Sequence, residues 1–125
     1  MLLDTCAILW LAHDQSQFSR EVLERIDTSP VVCMSAITGF EIGIKCRSGK
    51  LRLPTPPSQW IGDIVKHHKI EVVELTLDIA VKATELPPIH KDPCDRFIIA
   101  TALKLDMPVV TADRRFSDYE VTVMI

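Results

Sequence analysis

Short apolar runs alternate along the chain with longer stretches whose apolar residues recur every three or four positions. "MLL" (1–3), "VVCM" (31–34), "IEVVEL" (70–75), "PVVT" (108–111) and "VTVMI" (121–125) read as strands. Several are apolar almost throughout, as strands covered on both faces tend to be. Between them the pattern predicts helices near 6–13, 19–27, 36–47, 58–68, 77–85 and 94–106, the last ended by Pro108. Strand–helix alternation of this kind predicts the α/β class: a three-layer α/β/α sandwich with a mainly parallel central sheet. Right-handed crossovers then gather the strand C-terminal ends on one edge, where ligands bind in open sheets.

Length and composition narrow the class without naming a function. At 125 residues the expectation is one domain, 1–125, with a core that needs no disulfide or metal staple. Charged residues make up 25% and the net charge is −3, which argues against a protein that coats nucleic acid through its overall charge. No segment approaches the roughly 20 apolar residues of a membrane span, so no membrane partner is expected. "MLLDT" meets an acid too early for an export signal, and Cys6, Cys33, Cys46 and Cys94 form no C-x-x-C pair. Both features point to a cytoplasmic protein with reduced thiols. No zinc-ligand spacing links these cysteines to His13, His67, His68 or His90. The three prolines of "KLRLPTPPSQW" (50–60) mark a loop inside the domain.

The acids fall where that frame has its open edge. Asp4 ends the first strand, and Asp113 lies two residues beyond "VVT". In "DPCDRFIIATA" (92–102) Asp92 reads as a helix N-cap, Pro93 as the first helical residue and Asp95 as the acid of the first turn. Taken singly, each acid reads equally well as a cap: Asp4 for the helix from Cys6, Asp113 for the turn at "DRRF". Glu41 is harder to explain that way. In "SAITGFEIGIKC" (35–46) Ser35 reads as an N-cap, and Ile37, Phe40 and Ile44 share a face whose edge Glu41 occupies. A charge there faces the core or a cleft beside it; Lys45, at i+4, points partly away but can still snorkel back to it as a salt-bridge partner. Asp78, in "LTLDIA", reads as a first-turn acid behind the cap Thr76 and is left out of the set.

Carboxylates converging from four distant points need a counter-charge. Two of them about 5 Å apart repel by roughly 3 kcal/mol at an effective dielectric near 20. A set of oxygens with no His or Cys ligand nearby suits a hard cation, Mg²⁺ or Mn²⁺. Such ions activate water and stabilise the leaving oxygen in phosphodiester hydrolysis. Asp4, Glu41, Asp95 and Asp113 are therefore the expected catalytic and metal-holding residues. Thr5, Asp92, Arg96 and Thr111 are supporting candidates, each with a structural alternative. Basic residues in "KCRSGKLR" (45–52) and "DRRF" (113–116) are candidates for phosphate contact or for ordinary solvated surface. Gly39 and Gly43 share one helix face, consistent with close approach by a helix of this chain or of a second copy.

The motifs "LLDT" (2–5), "SAITGFEIGIK" (35–45), "GKLRLP" (49–54), "HKDPCDRFIIATAL" (90–103) and "VVTAD" (109–113) resemble, in order and spacing, the PIN domain family, and within it the VapC-type toxins of type II toxin–antitoxin systems. The resemblance covers essentially the whole chain. It implies a PIN-like α/β fold and a Mg²⁺- or Mn²⁺-dependent endoribonuclease acting on RNA. It also implies a homodimer and a cognate antitoxin whose tail blocks the acidic pocket. The family's acids fall on Asp4, Glu41, Asp95 and Asp113, and Asp92 matches a residue less central to metal binding. Cys6 stands where the family often has histidine, and "TGFE" lacks a bulkier residue before the glutamate. The alternatives are a PIN-like module that binds RNA or protein without turnover, and a phospho-acceptor receiver. The receiver fits poorly, because only Asp4 follows the first strand and no lysine follows "VTVMI".

Overall fold

The computed structural model describes residues 1–125. Its sheet has five strands: β1 (Leu2–Leu3), β2 (Cys33–Ser35), β3 (Glu71–Val73), β4 (Val109–Val110) and β5 (Val123–Met124). The spatial order is β3-β2-β1-β4-β5, and every pairing is parallel. Leu2 and Leu3 sit opposite Cys33 and Met34 on one side and Val109 and Val110 on the other. The helices are α1 (Thr5–His13), α2 (Arg20–Thr28), α3 (Ala36–Arg47), α4 (Pro57–His67), α5 (Leu77–Glu85) and α6 (Pro93–Leu105). Each predicted strand and helix is present. Two 3-10 segments, Gln15–Gln17 and Arg114–Tyr119, were not expected; pieces this short carry no periodic signal.

Alternation along the strands divides the core into two layers. Leu3, Met34, Val110 and Met124 point to one face, against Ile8 and Leu11 of α1, Val22 and Ile26 of α2, Ile42 of α3 and Trp60 of α4. Leu2, Cys33 and Val109 point to the other, against Ile98, Ile99 and Ala102 of α6, Ile37 of α3, and Phe116. Helix α5 closes that second layer through Ile79 and Ala83 against Ala100. Helices on both faces explain why strands of two or three residues read as unbroken apolar runs.

The order also locates the open edge. From central β1 the chain moves outward through β2 to β3, then returns to lay β4 and β5 on the other side. The direction of winding changes between β1 and β4, and the residues just beyond their C-terminal ends flank the crevice that forms there. Flavodoxin-like domains, receivers among them, have the order 2-1-3-4-5, so the receiver alternative does not fit this sheet. No helix is long and apolar enough to cross a membrane.

Helix α3 departs from its predicted orientation. Ile37, Thr38 and Ile42 are buried, whereas Phe40 is 61% and Ile44 46% exposed. The apolar stripe is wider than the surface available to cover it, and the helix turns to place Thr38 against Thr5, their hydroxyl oxygens 3.2 Å apart. The expected close helix approach at the glycines is also absent within the chain. A methyl group at Gly39 would make ordinary contact with Ile61, 3.8 Å away, and one at Gly43 would meet open space. Asp78 is a first-turn acid of α5 behind the Thr76 cap, and Lys104 lies 3.6 Å from it.

Candidate active site

Asp4 follows β1 directly and serves two local purposes. As N-cap of α1 its Oδ1 accepts from the Ala7 N–H at 2.8 Å, and its Oδ2 accepts from the Thr111 hydroxyl. Thr111 follows β4, and its oxygen in turn accepts from the Asp113 N–H at 3.0 Å. One hydroxyl thus ties together the ends of two adjacent strands and two of the expected acids. Asp4 is only 5% exposed. Burial pushes its carboxyl above the ordinary carboxylate range, against the opposing pull of the Thr111 and Ala7 bonds, while Glu41 and Asp113 nearby push it further.

Glu41 reaches the same place from α3. Its Oε2 lies 2.9 Å from Lys45 Nζ, one helical turn on. The snorkelling alternative for Lys45 is thus the one realised: the long side chain bends back along the helix to its i+4 partner. The other oxygen, Oε1, is buried with no hydrogen-bond partner. An orphaned carboxylate oxygen in a partly buried position is costly unless something positive completes its surroundings.

The segment leading into α6 brings the remaining acids. Asp92 is the N-cap of α6, accepting from the Cys94 and Asp95 N–H groups, with Pro93 at the first helical position, as the sequence predicts. Burial first, then the charge of Asp92, raises the Asp95 carboxyl to about 7, despite the opposing influence of His90. Asp113, beyond β4, caps the following 3-10 segment. Arg115 folds back to grip it bidentately, Nε to Oδ1 at 3.0 Å and Nη2 to Oδ2 at 2.8 Å. These bonds hold the Asp113 carboxyl well below the usual carboxylate range.

His90 is the residue the sequence reading passes over. It is 2% exposed, and its Nε2 lies 2.8 Å from Asp113 Oδ2 and 3.1 Å from Asp95 Oδ2. The expectation of an acid cluster with no histidine nearby is therefore corrected. His90 lies in a stretch without periodicity, and its place two residues before the Asp92 cap is the one clue the sequence offers. Arg115 is missed similarly: "DRRF" shows the charges but not that one turns inward.

Asp4, Glu41, Asp95 and Asp113 all line one cleft of about 330 Å³, together with Thr5, Cys6, Trp10, Lys45, Asp92 and Ala112. Thr5 fixes the spacing of α1 and α3 through Thr38. Arg96 does not join them, which corrects its candidacy. Its guanidinium donates to the carbonyls of Ala83, Leu86, Pro87 and His90 and so clamps the segment between α5 and α6. Burial and the neighbouring acids push the Cys94 thiol up to about 11, so it is a poor ligand beside Glu41 and Asp92.

The sequence profile of the family described as PIN domain matches residues 1–121. The chain belongs to the PIN domain family. Ribonuclease VapC22 of Mycobacterium tuberculosis is 28% identical to this PIN domain over 120 residues, covering 95% of this chain and 91% of that one. VapBC2 from Rickettsia felis, solved bound to a promoter DNA fragment, shares the fold with a TM-score of 0.72 at 13% identity, over 98% of this chain and 95% of that one. DNA-bound VapBC from Salmonella typhimurium matches with a TM-score of 0.68 at 18% identity, over 98% and 94% of the two chains.

Two carboxyls of this PIN domain are displaced in opposite directions, and a pH dependence follows. Asp95 holds its proton up to about 7 when folded but gives it up near 3.8 when unfolded. Its stabilising contribution is therefore full below pH 3.8, declines from there and is lost as pH rises through about 7. Asp113, lowered, contributes stability above its ordinary value that is lost as pH falls. Thermal melts of the protein in EDTA should accordingly lose stability between about pH 4 and pH 7 through Asp95. Asp95→Asn, which has nothing to ionise, should flatten that slope; an unchanged slope would mean that Asp95 is not the titrating group.

Proposed function

We propose that residues 1–125 act as one PIN-like nuclease domain, a Mg²⁺- or Mn²⁺-dependent endoribonuclease that hydrolyses RNA phosphodiester bonds, and the toxin of a toxin–antitoxin pair. One observation carries this reading: Glu41, whose buried Oε1 has no hydrogen-bond partner, lines one cleft with Asp4, Asp95 and Asp113. A hard divalent cation fits such a donor set, since oxygens dominate it and one of them lacks any positive partner. When bound there, it would supply an activated water and charge stabilisation at the leaving oxygen.

The chain's own residues do the rest. Asp4, Glu41, Asp95 and Asp113 would hold the ion. Thr111 orients Asp4, Lys45 fixes one oxygen of Glu41, and the Asp92 cap sets the first turn that carries Asp95. The exposed Arg47 ends the Glu41 helix, the exposed Lys50 and Arg52 lie just beyond it, and Arg114 is exposed next to Asp113. These are the available contacts for RNA phosphates, which supply most non-specific affinity. The relative named a ribonuclease supports RNA as substrate. Complexes of the same fold, one of them named a toxin–antitoxin complex, support a cognate antitoxin as partner; a cytoplasmic site of action is part of the same proposal. Exposed Phe40 and Ile44, with open space over Gly43, give α3 an apolar face suited to a second copy in a homodimer.

The test is incubation of the purified protein with structured RNA. Cleavage products should appear with Mn²⁺ or Mg²⁺ and be absent with EDTA. Tight RNA binding with no product under any ion would favour the alternative, a PIN-like module that binds without turnover.

A further inference from the structure

We propose that His90 is a positioning residue of this site: a ring anchored to the Asp92 backbone donates its Nε2–H to Asp113, holds that nitrogen beside Asp95, and so sets the separation of the two carboxyl groups. The inference rests on the function proposed above, because positioning matters only if those carboxylates hold a cation.

The argument starts from the ring's far side. His90 Nδ1 accepts a hydrogen bond from the Asp92 backbone N–H at 3.1 Å. A ring nitrogen that accepts such a bond carries no proton, so the ring's proton is on Nε2. Nε2 faces Asp113 Oδ2 at 2.8 Å and Asp95 Oδ2 at 3.1 Å. Turning the ring over would set carbon atoms against both carboxylates and the N–H and lose all three contacts. A histidine that ligates a metal has the opposite arrangement: its outer nitrogen donates, leaving a lone pair on the inner one. The His90, Asp95 and Asp113 atoms lie within 4.8 Å of one another, yet the imidazole is the donor there and not a ligand.

The ring has little freedom to leave this position. It stands edge-on to Phe116, centroids 5.8 Å apart. The His90 N–H donates to the Tyr119 hydroxyl, and its carbonyl accepts from Arg96 at 3.1 Å. Asp95 belongs to the first turn of α6, and Asp113 follows β4. The ring nitrogen therefore stands between a helix start and a strand end, hydrogen-bonded to Asp113 and 3.1 Å from Asp95, and fixes how far apart the two acids sit.

Two measurements test this. In spectra of protein labelled with ¹⁵N-histidine, His90 should show a protonated Nε2 and a bare Nδ1; a proton on Nδ1 would free the Nε2 lone pair for a cation and overturn the inference. The second compares His90→Leu, which removes the donor, with His90→Gln, whose amide N–H reaches a similar distance. The half-saturating Mn²⁺ concentration, by calorimetry without RNA and by cleavage rate, should rise about 10- to 100-fold in His90→Leu. Cleavage at saturating Mn²⁺ should fall much less, and His90→Gln should recover much of the loss. A merely structural histidine would lower the melting temperature of both variants without moving half-saturation, and that result would overturn the inference. So would a glutamine variant as impaired as the leucine one. Should His90→Leu not fold, the glutamine variant and the ring spectrum decide. Wild-type protein that takes up no Mn²⁺ would instead sink the proposed function, while the ring spectrum would still report the tautomer.

Discussion

Asp4→Asn is expected to abolish metal-dependent RNA cleavage, a loss of about a thousandfold or more, while leaving the fold intact. The magnitude follows from the several kcal/mol that charge stabilisation by a bound cation contributes to such a reaction. The fold should survive because asparagine keeps what Asp4 does locally. Its carbonyl oxygen still accepts from the Ala7 N–H, and its amide donates to the Thr111 oxygen, whose hydroxyl turns to suit. A buried carboxyl already pushed upward by desolvation also loses nothing by becoming neutral. The measurement is the cleavage rate at saturating Mn²⁺ beside a thermal melt. A rate within tenfold of wild type would remove Asp4 from the cation-holding set. A collapsed melt would mean that its structural bonds outweigh the rest.

Arg96→Ala should be strongly destabilising while leaving the acids untouched. The side chain satisfies four backbone carbonyls, that of Ala83 in the last turn of α5 and those of Leu86, Pro87 and His90 in the segment leading to α6. Hydrogen bonds from a charged donor are each worth roughly 1.5–3 kcal/mol, and the carbonyls left behind regain water only in part. A net loss of about 3 kcal/mol is reasonable, which for a chain of this size lowers the melting temperature by about 10 °C. Arg96→Lys should recover little, because an ammonium cannot reproduce the planar fork. The loss should be the same with EDTA and with Mn²⁺, since Arg96 does not face the cleft. A drop of under about 2 °C in the heat-induced transition would show that the clamp carries no load.

What the sequence disclosed follows from the range of each interaction. The strands are only two or three residues long, yet both of their faces are covered, so they stand out as apolar runs. Caps were legible because they act within three residues: Ser35, Thr76 and Asp92 all cap the helices assigned to them. The convergence of Asp4, Glu41, Asp95 and Asp113 on one cleft followed from parallel topology, which puts strand ends on one edge. The tilt of α3 was not legible. Composition marks Phe40 and Ile44 as apolar but cannot say which part of a wide stripe finds something to cover it. Nor were the partners of His90, Arg115 and Arg96, because those contacts depend on where irregular segments lie in space. A charge in such a segment reads the same whether it turns inward to a carboxylate, as Arg115 does, or stays in solvent.

The bond between Thr111 and Asp4 spans 107 positions of the chain. Asp4 and Asp113 come together only when β4 lies beside β1, and β4 is among the last parts of the chain to be made. Any shorter product that stops ahead of β4 carries the early acids without their late counterparts. If the proposed function holds, such truncated copies should take up no Mn²⁺ and cut no RNA, so competence would arrive only with the last stretch of chain.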